Sequence, residues 1–172
     1  MTLTLAPTLL LTLTLTRAAY AGSAACVHML IDAGAQHDAT NQRDASQPLH
    51  LAARFGQQAA AGALLERGAN VNALNARGNA ALHECCAHIE GAGVVETLLR
   101  ARTNLEVYND PDNGERMMTP LHVAAESGSL TAIRLLLQRG ADPQANRYRY
   151  SYRCIEPRMA NLAGWPVISL LT

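Results

Sequence analysis

One phrase recurs along this chain and restricts its fold more than any bulk property does. Thr119-Pro120-Leu121-His122-Val123-Ala124-Ala125 leads through Gly128 to Ile133, Leu135, Leu136, Gly140 and Ala141. Gln47-Pro48-Leu49-His50-Leu51-Ala52-Ala53 runs through Gly56 to Leu64, Leu65, Gly68 and Ala69, and Ala80-Ala81-Leu82-His83-Glu84-Cys85-Cys86 runs to Val95, Leu98 and Leu99. A weaker first copy holds Ala18-Ala19, Gly22, Val27, Leu30, Ile31, Gly34 and Ala35. Leu49 and Leu82 lie 33 residues apart, and Gly34 and Gly68 lie 34 apart. A unit repeating at such a period cannot bury its apolar side alone, so successive units must stack.

Each slot of the phrase has a physical role. Thr119 can cap a helix through its hydroxyl, and Pro120 then takes the first helical position, where its missing N–H is no loss. The Ala-Ala pair allows a close helix approach, Gly56 or Gly128 turns the chain, and Leu64-Leu65 or Leu135-Leu136 face inward from a second helix. Gly68 and Gly140 permit the left-handed conformation that ends it. Gln47 and Ala80 replace Thr119 in the earlier copies, and loss of such a cap costs about 1 kcal/mol. Repeat four is therefore expected to be the best formed locally.

The recurring Thr-Pro-Leu-His frame resembles the ankyrin repeat family over roughly residues 13–146. The resemblance implies an all-α solenoid of about four helix-turn-helix repeats (13–40, 41–75, 76–109 and 110–146) with projecting hairpin-like fingers such as Asn70 to Asn79. Such repeats are protein-interaction modules, so the partner expected is a protein. Ala81-Leu82-His83-Glu84-Cys85-Cys86 and Leu105-Glu106-Val107-Tyr108 further resemble the ankyrin repeat and SOCS box family. That likeness implies substrate recognition for a cullin-RING ubiquitin ligase, with elongin B/C and a cullin recruited by a C-terminal box. Residues 147–172 do not continue with the box's leucine-and-arginine helix pattern, since Pro157-Arg158-Met159-Ala160-Asn161-Leu162 stands there. Truncation, alternative splicing and an accidental match all remain open readings of that difference.

The ends depart from the frame. Residues 1–12 form a low-complexity Leu/Thr segment expected to be disordered, and 147–172 are expected to be a degenerate tail or cap. Ala19-Tyr20-Ala21 has the small-x-small form of a secretory cleavage site. However, no basic residue precedes the apolar stretch, and cutting there would split a repeat. Fourteen acidic residues balance fourteen basic ones, all of them Arg. A neutral chain offers no electrostatic footprint for nucleic acid or anionic membranes, and no apolar run is long enough for a membrane helix. Neither partner is expected, and the place expected is cytoplasmic or nuclear. Arg147-Tyr148-Arg149-Tyr150-Ser151-Tyr152-Arg153 interleaves basic and aromatic residues as a single-strand nucleic-acid surface can, but a terminal cap or tail is the simpler reading.

The chemistry candidates fall to the register. His83, Cys85, Cys86 and His88 cluster as metal ligands could. Yet His83 shares its slot with His50 and His122, and Cys85-Cys86 shares the slot of Ala52-Ala53, so structural roles are expected. No catalytic, cofactor or metal residue is assigned, and an enzyme is not expected. Binding residues are sought in the finger before repeat four, which is five residues longer than its predecessor: Arg102 to Thr119 is 17 steps, against 12 from Gly68 to Ala80. Insertions in solenoids fall in loops on one face, often the binding face. Tyr108, Asp110, Asp112, Asn113, Glu115, Arg116 and Met117 are the expected contacts there, fitting a partner with a basic patch beside an apolar pocket. Arg54, Phe55, Glu84, His88, Glu126 and Ser127 are expected to line the adjoining concave side.

Overall fold

A computed structural model describes residues 5–88, 91–109 and 117–145. Each repeat contributes two short helices, in the order α1 (Leu5–Ala21), α2 (Ala24–Asp32), α3 (Pro48–Arg54), α4 (Gln58–Glu66), α5 (Ala81–Cys86), α6 (Ala92–Arg100), α7 (Pro120–Ser127) and α8 (Leu130–Gln138). The first helices α1, α3, α5 and α7 stack in one row, and α2, α4, α6 and α8 stack in a second row against it. This is the all-α solenoid expected. Among the described residues the one β pairing is an antiparallel bridge between Asn109 and Met118, which closes the base of the third finger.

The core lies between the two rows. Leu49, Leu64, Leu82, Leu98, Leu121 and Leu136 are each at most 1% exposed, with Ala52, Ala53, Ala124 and Ala125 buried between them. Leu65 and Leu135 are half-buried, unlike Leu64 and Leu136. Neighbours on a helix point about 100° apart, so one of each pair faces the core squarely and the other sits beside it.

Second helices end in the left-handed region. Gly34, Gly68 and Gly140 adopt φ of 95°, 86° and 87°, and Arg102 occupies the same slot of repeat three at φ 57°. In the fingers, Ala45 at φ 52° stands 33 residues before Gly78 at φ 68°. A side chain there crowds the following carbonyl, costing about 1–2 kcal/mol, part of which glycine forfeits through its freer unfolded chain. Arg102→Gly and Ala45→Gly should each raise stability by about 0.5–1 kcal/mol in urea denaturation. A lowered midpoint for both would show that these turns are not strained.

The N-terminus corrects one expectation. Helix α1 extends back to Leu5, so residues 5–12 of the segment expected to be disordered are helical. Leu15 is fully buried, with Leu11 packed against the same core. The Thr14 and Thr16 hydroxyls donate to the carbonyls of Leu11 and Leu13 at 2.8 and 2.7 Å. Threonine thus satisfies its hydroxyl on the preceding turn while leucine anchors one stripe of the helix. No helix among the described residues is long and apolar enough to cross a membrane. Residues 147–172 lie outside the described residues.

Candidate functional site

The recurring histidine shows how each first helix is tied to its finger. Its Nδ1 accepts from the backbone N–H of the residue that starts the phrase: Gln47 to His50 at 3.1 Å, Ala80 to His83 at 3.1 Å and Thr119 to His122 at 3.3 Å. This bond forms with or without a capping hydroxyl, and Thr119 alone of the three adds a side-chain cap, its Oγ1 accepting from the His122 amide. The opposite nitrogen reaches the next finger. His50 Nε2 lies 2.9 Å from the Ala73 carbonyl and 3.0 Å from that of Asn79, and His83 Nε2 lies 3.1 Å from that of Met118. Burial pushes all three imidazoles below their ordinary pKa, outweighing the carbonyl bonds of the first two, and takes His83 down to about 4.

Beside these histidines a polar network joins repeats two and three. Arg54 donates from Nε to Glu84 Oε2 at 2.9 Å and from Nη2 to Glu84 Oε1 at 3.1 Å, and Nη2 also meets Asp44 Oδ2 at 3.3 Å. Asn75 and Asn79 donate to Glu84 Oε1 at 2.9 and 3.0 Å, and Asn109 donates to Asn79 at 2.7 Å. Burial raises the Glu84 carboxyl, but the Arg54, Asn79 and Asn75 bonds overcome it and hold the pKa below its ordinary value. Burial opposes ionisation of Asp44 as well, where bonds from Asn41, Ser46 and Arg54 win.

This network corrects two of the expected contacts. Glu84 is only 5% exposed, with its carboxylate saturated inside the protein, so it cannot face a partner. Arg54 is half-buried with its guanidinium committed to Glu84 and Asp44. Ser127 is half-buried, and its hydroxyl lies 2.7 Å from the Cys86 carbonyl and 3.0 Å from that of Ala124, so its proton is spent within the fold. Phe55, His88 and Glu126 are exposed, as a contact surface requires. At the base of the third finger Tyr108 is half-buried and Met117 is 38% exposed. Asp110, Asp112, Asn113, Glu115 and Arg116 lie outside the described residues.

Tyr20 was not among the expected contacts. It is 55% exposed, and its ring meets the 45% exposed Phe55 edge to face, with centroids 4.4 Å apart. The register could have revealed it. Counted from the turn glycines Gly22 and Gly56, Tyr20 holds in repeat one the slot of Arg54, next to that of Phe55. The buried core of the described residues contains no aromatic side chain at all.

Cys85 and Cys86 are fully buried in the alanine slot. Cys85 Sγ donates to the Leu82 carbonyl at 3.2 Å, and burial pushes its pKa well up, so it holds its proton as a small core residue does. Among the described residues no group of three His, Cys, Asp or Glu side chains could hold a metal ion.

A family model described as ankyrin repeats in three copies matches residues 15–109, and a single ankyrin repeat matches residues 117–147. The chain is 34% identical over 121 residues to the nuclear factor NF-kappa-B p105 subunit of Gallus gallus, covering 68% of this chain and 12% of that protein. It is 38% identical over 98 residues to ankyrin repeat and SOCS box protein 16 of Mus musculus, covering 56% of this chain and 22% of the relative. With the E3 ubiquitin-protein ligase XBAT33 of Arabidopsis thaliana the identity is 43% over 94 residues, covering 54% and 17%. Each match spans about a quarter or less of the relative's length.

Proposed function

Because the chain belongs to the ankyrin repeat family, whose repeats are protein-interaction modules, we propose that it binds a protein partner across the row α1, α3, α5, α7 and the adjoining fingers. The observation that carries this reading is the Tyr20–Phe55 pair. Aromatic side chains bury large areas at low entropic cost and dominate interface energetics. Here they stand exposed in contact with each other while the core is built without them. His88 and Glu126 extend the surface along the same row.

The partner's chemistry follows from the two ends of this surface. An apolar side chain would seat on Tyr20 and Phe55, while a basic segment would meet Asp110, Asp112 and Glu115 of the long third finger, beside Tyr108, Asn113, Arg116 and Met117. Deleting residues 110–114 from that finger, or replacing both aromatics by alanine, should leave the fold intact. Each change should weaken capture of the partner by at least about tenfold, equivalent to about 1.4 kcal/mol. Quantitative co-purification from lysate with the full chain and both variants measures it, and unchanged capture by both would sink the proposal.

A second reading is favoured by the likeness to ankyrin repeat and SOCS box protein 16 and to XBAT33. It makes the captured protein the substrate of a ubiquitin ligase. Retention of this chain by purified elongin B and C would support it, and no retention would leave the interaction module alone.

A further inference from the structure

Helix α1 is apolar on two opposite sides, whereas an ordinary surface helix carries one apolar stripe. At about 100° per residue, Leu11, Leu15, Ala18 and Ala19 share one side, and these are the residues packed into the core. Leu10, Leu13, Arg17 and Tyr20 fall within about 80° of one another on the side directly opposite. Leu10 is 64% exposed, Leu13 59% and Tyr20 55%, and Arg17 is exposed as well. Phe55 lies against the Tyr20 ring at one end of this outer stripe. Large apolar side chains usually stand singly on a surface, and a continuous row of them marks an interaction site.

Arg17 decides what fits there. It is the one charged residue of α1, and among the described residues it has no hydrogen-bond or ion-pair partner. The threonines on either flank of the stripe need no donor partner, since Thr14 and Thr16 already donate to the carbonyls of Leu11 and Leu13. The face is therefore an apolar row holding a single unmatched cation. Electrostatic complementarity calls for a carboxylate set among apolar side chains. The α1 of a second copy supplies none, because it contains no acidic residue. A helix is the matching element, since a helix lying along α1 sets its own side chains at the same intervals of three and four residues over about 15 Å.

We propose that the outer stripe of α1 is a docking site for an acidic amphipathic helix of a partner protein. Its apolar side chains cover Leu10, Leu13 and the Tyr20–Phe55 pair, and its carboxylate pairs with Arg17. This deepens the reading of the row as a protein-binding surface and rests on it at Tyr20 and Phe55. Apolar cover around Arg17 shields the ion pair from water, so the pair discriminates between partners more strongly than an open one does.

The probe for this site is a fluorescent, alanine-rich helical peptide of fifteen residues, with leucine at its first, fourth, twelfth and fifteenth positions and glutamate at its centre. Its symmetric spacing brings the glutamate beside Arg17 in either chain direction. Fluorescence anisotropy with the full chain should show saturable binding that weakens at least about tenfold when the glutamate is replaced by lysine. Arg17→Glu should reverse that preference, and Leu13→Ala should weaken binding of the glutamate peptide about tenfold. Both positions face away from the core, so the fold is expected to be unchanged. In the unaltered chain, amide NMR shifts on adding the peptide should cluster at residues 10–20 and Phe55, a readout that depends on no variant. Equal affinity for the two peptides, or shifts centred elsewhere, would overturn the proposal. So would dimerisation of the free chain that Leu13→Arg abolishes, or binding to phosphatidylserine vesicles that Arg17→Glu abolishes, by giving the stripe to a second copy or to a membrane. The titration uses no cellular partner, so its failure leaves the lysate experiment on the row and fingers standing.

Discussion

Arg54→Leu is expected to destabilise the protein by about 2–3 kcal/mol, because it strands the Glu84 carboxylate in a site sealed from water. Arg54 supplies two of the four hydrogen bonds that hold this carboxylate, and the remaining two come from neutral asparagine amides. The loss falls toward the lower end of what breaking a buried pair costs, since the Arg54 side chain retains 25% exposure. Adding Glu84→Leu should recover most of it, because removing both charges also removes the desolvation that the pair must overcome. Urea denaturation of the two single variants and the double variant decides the matter. A single-variant loss under about 1 kcal/mol, or losses that add in the double variant, would show the pair to be no more than a surface contact.

Acidification should produce the second large effect, and it should begin well above the carboxylate range. His83 titrates near 4 in the folded protein against an ordinary value of 6.5, because burial disfavours its charged form. A histidine kept neutral by folding contributes fully above the unfolded value, and its contribution is lost as pH falls from there to the folded value. Between pH 7 and pH 5 His83 alone should cost about 2 kcal/mol of stability. Burial shifts His50 and His122 in the same direction and adds to the slope. Glu84 and Asp44, whose pKa values are lowered, release their stabilisation only below their ordinary values of 4.5 and 3.8, so the upper window reports histidine. Chemical denaturation at pH 7 and pH 5 measures the difference. His83→Asn should flatten it by about the same 2 kcal/mol, and an unchanged pH dependence in that variant would refute the assignment.

What could be read ahead of the structure was whatever repeats. The motif spacing placed α3 to α8, and the slot comparison turned Cys85 and Cys86 into core residues and Arg102 into a stand-in for glycine. What could not be read was whatever converges from different repeats. Glu84 looked like an exposed acid because nothing local marks it as buried. Its burial depends on Arg54, 30 residues earlier, and on two finger asparagines. Tyr20 was obscured for another reason, since the first repeat lacks the proline and histidine that anchor the frame. The Leu/Thr stretch looked unstructured because its composition is monotonous, while helix formation there depends on leucine meeting a neighbouring helix and threonine bonding backward.

The polar ties across the joints of this solenoid differ in their exposure to water. Between repeats one and two the ties include the Arg67–Asp32 ion pair, open to water, and the exposed Tyr20–Phe55 contact. Contacts of that kind rearrange at little energetic cost. Between repeats two and three the tie is the Arg54–Glu84 cluster, largely shielded from solvent and fixed in one geometry. The polar ties of the first joint are thus open to water, and those of the second are not. Salt should therefore weaken the ion pair at the first joint more than the shielded cluster at the second, since exposed charges are screened and buried ones much less so.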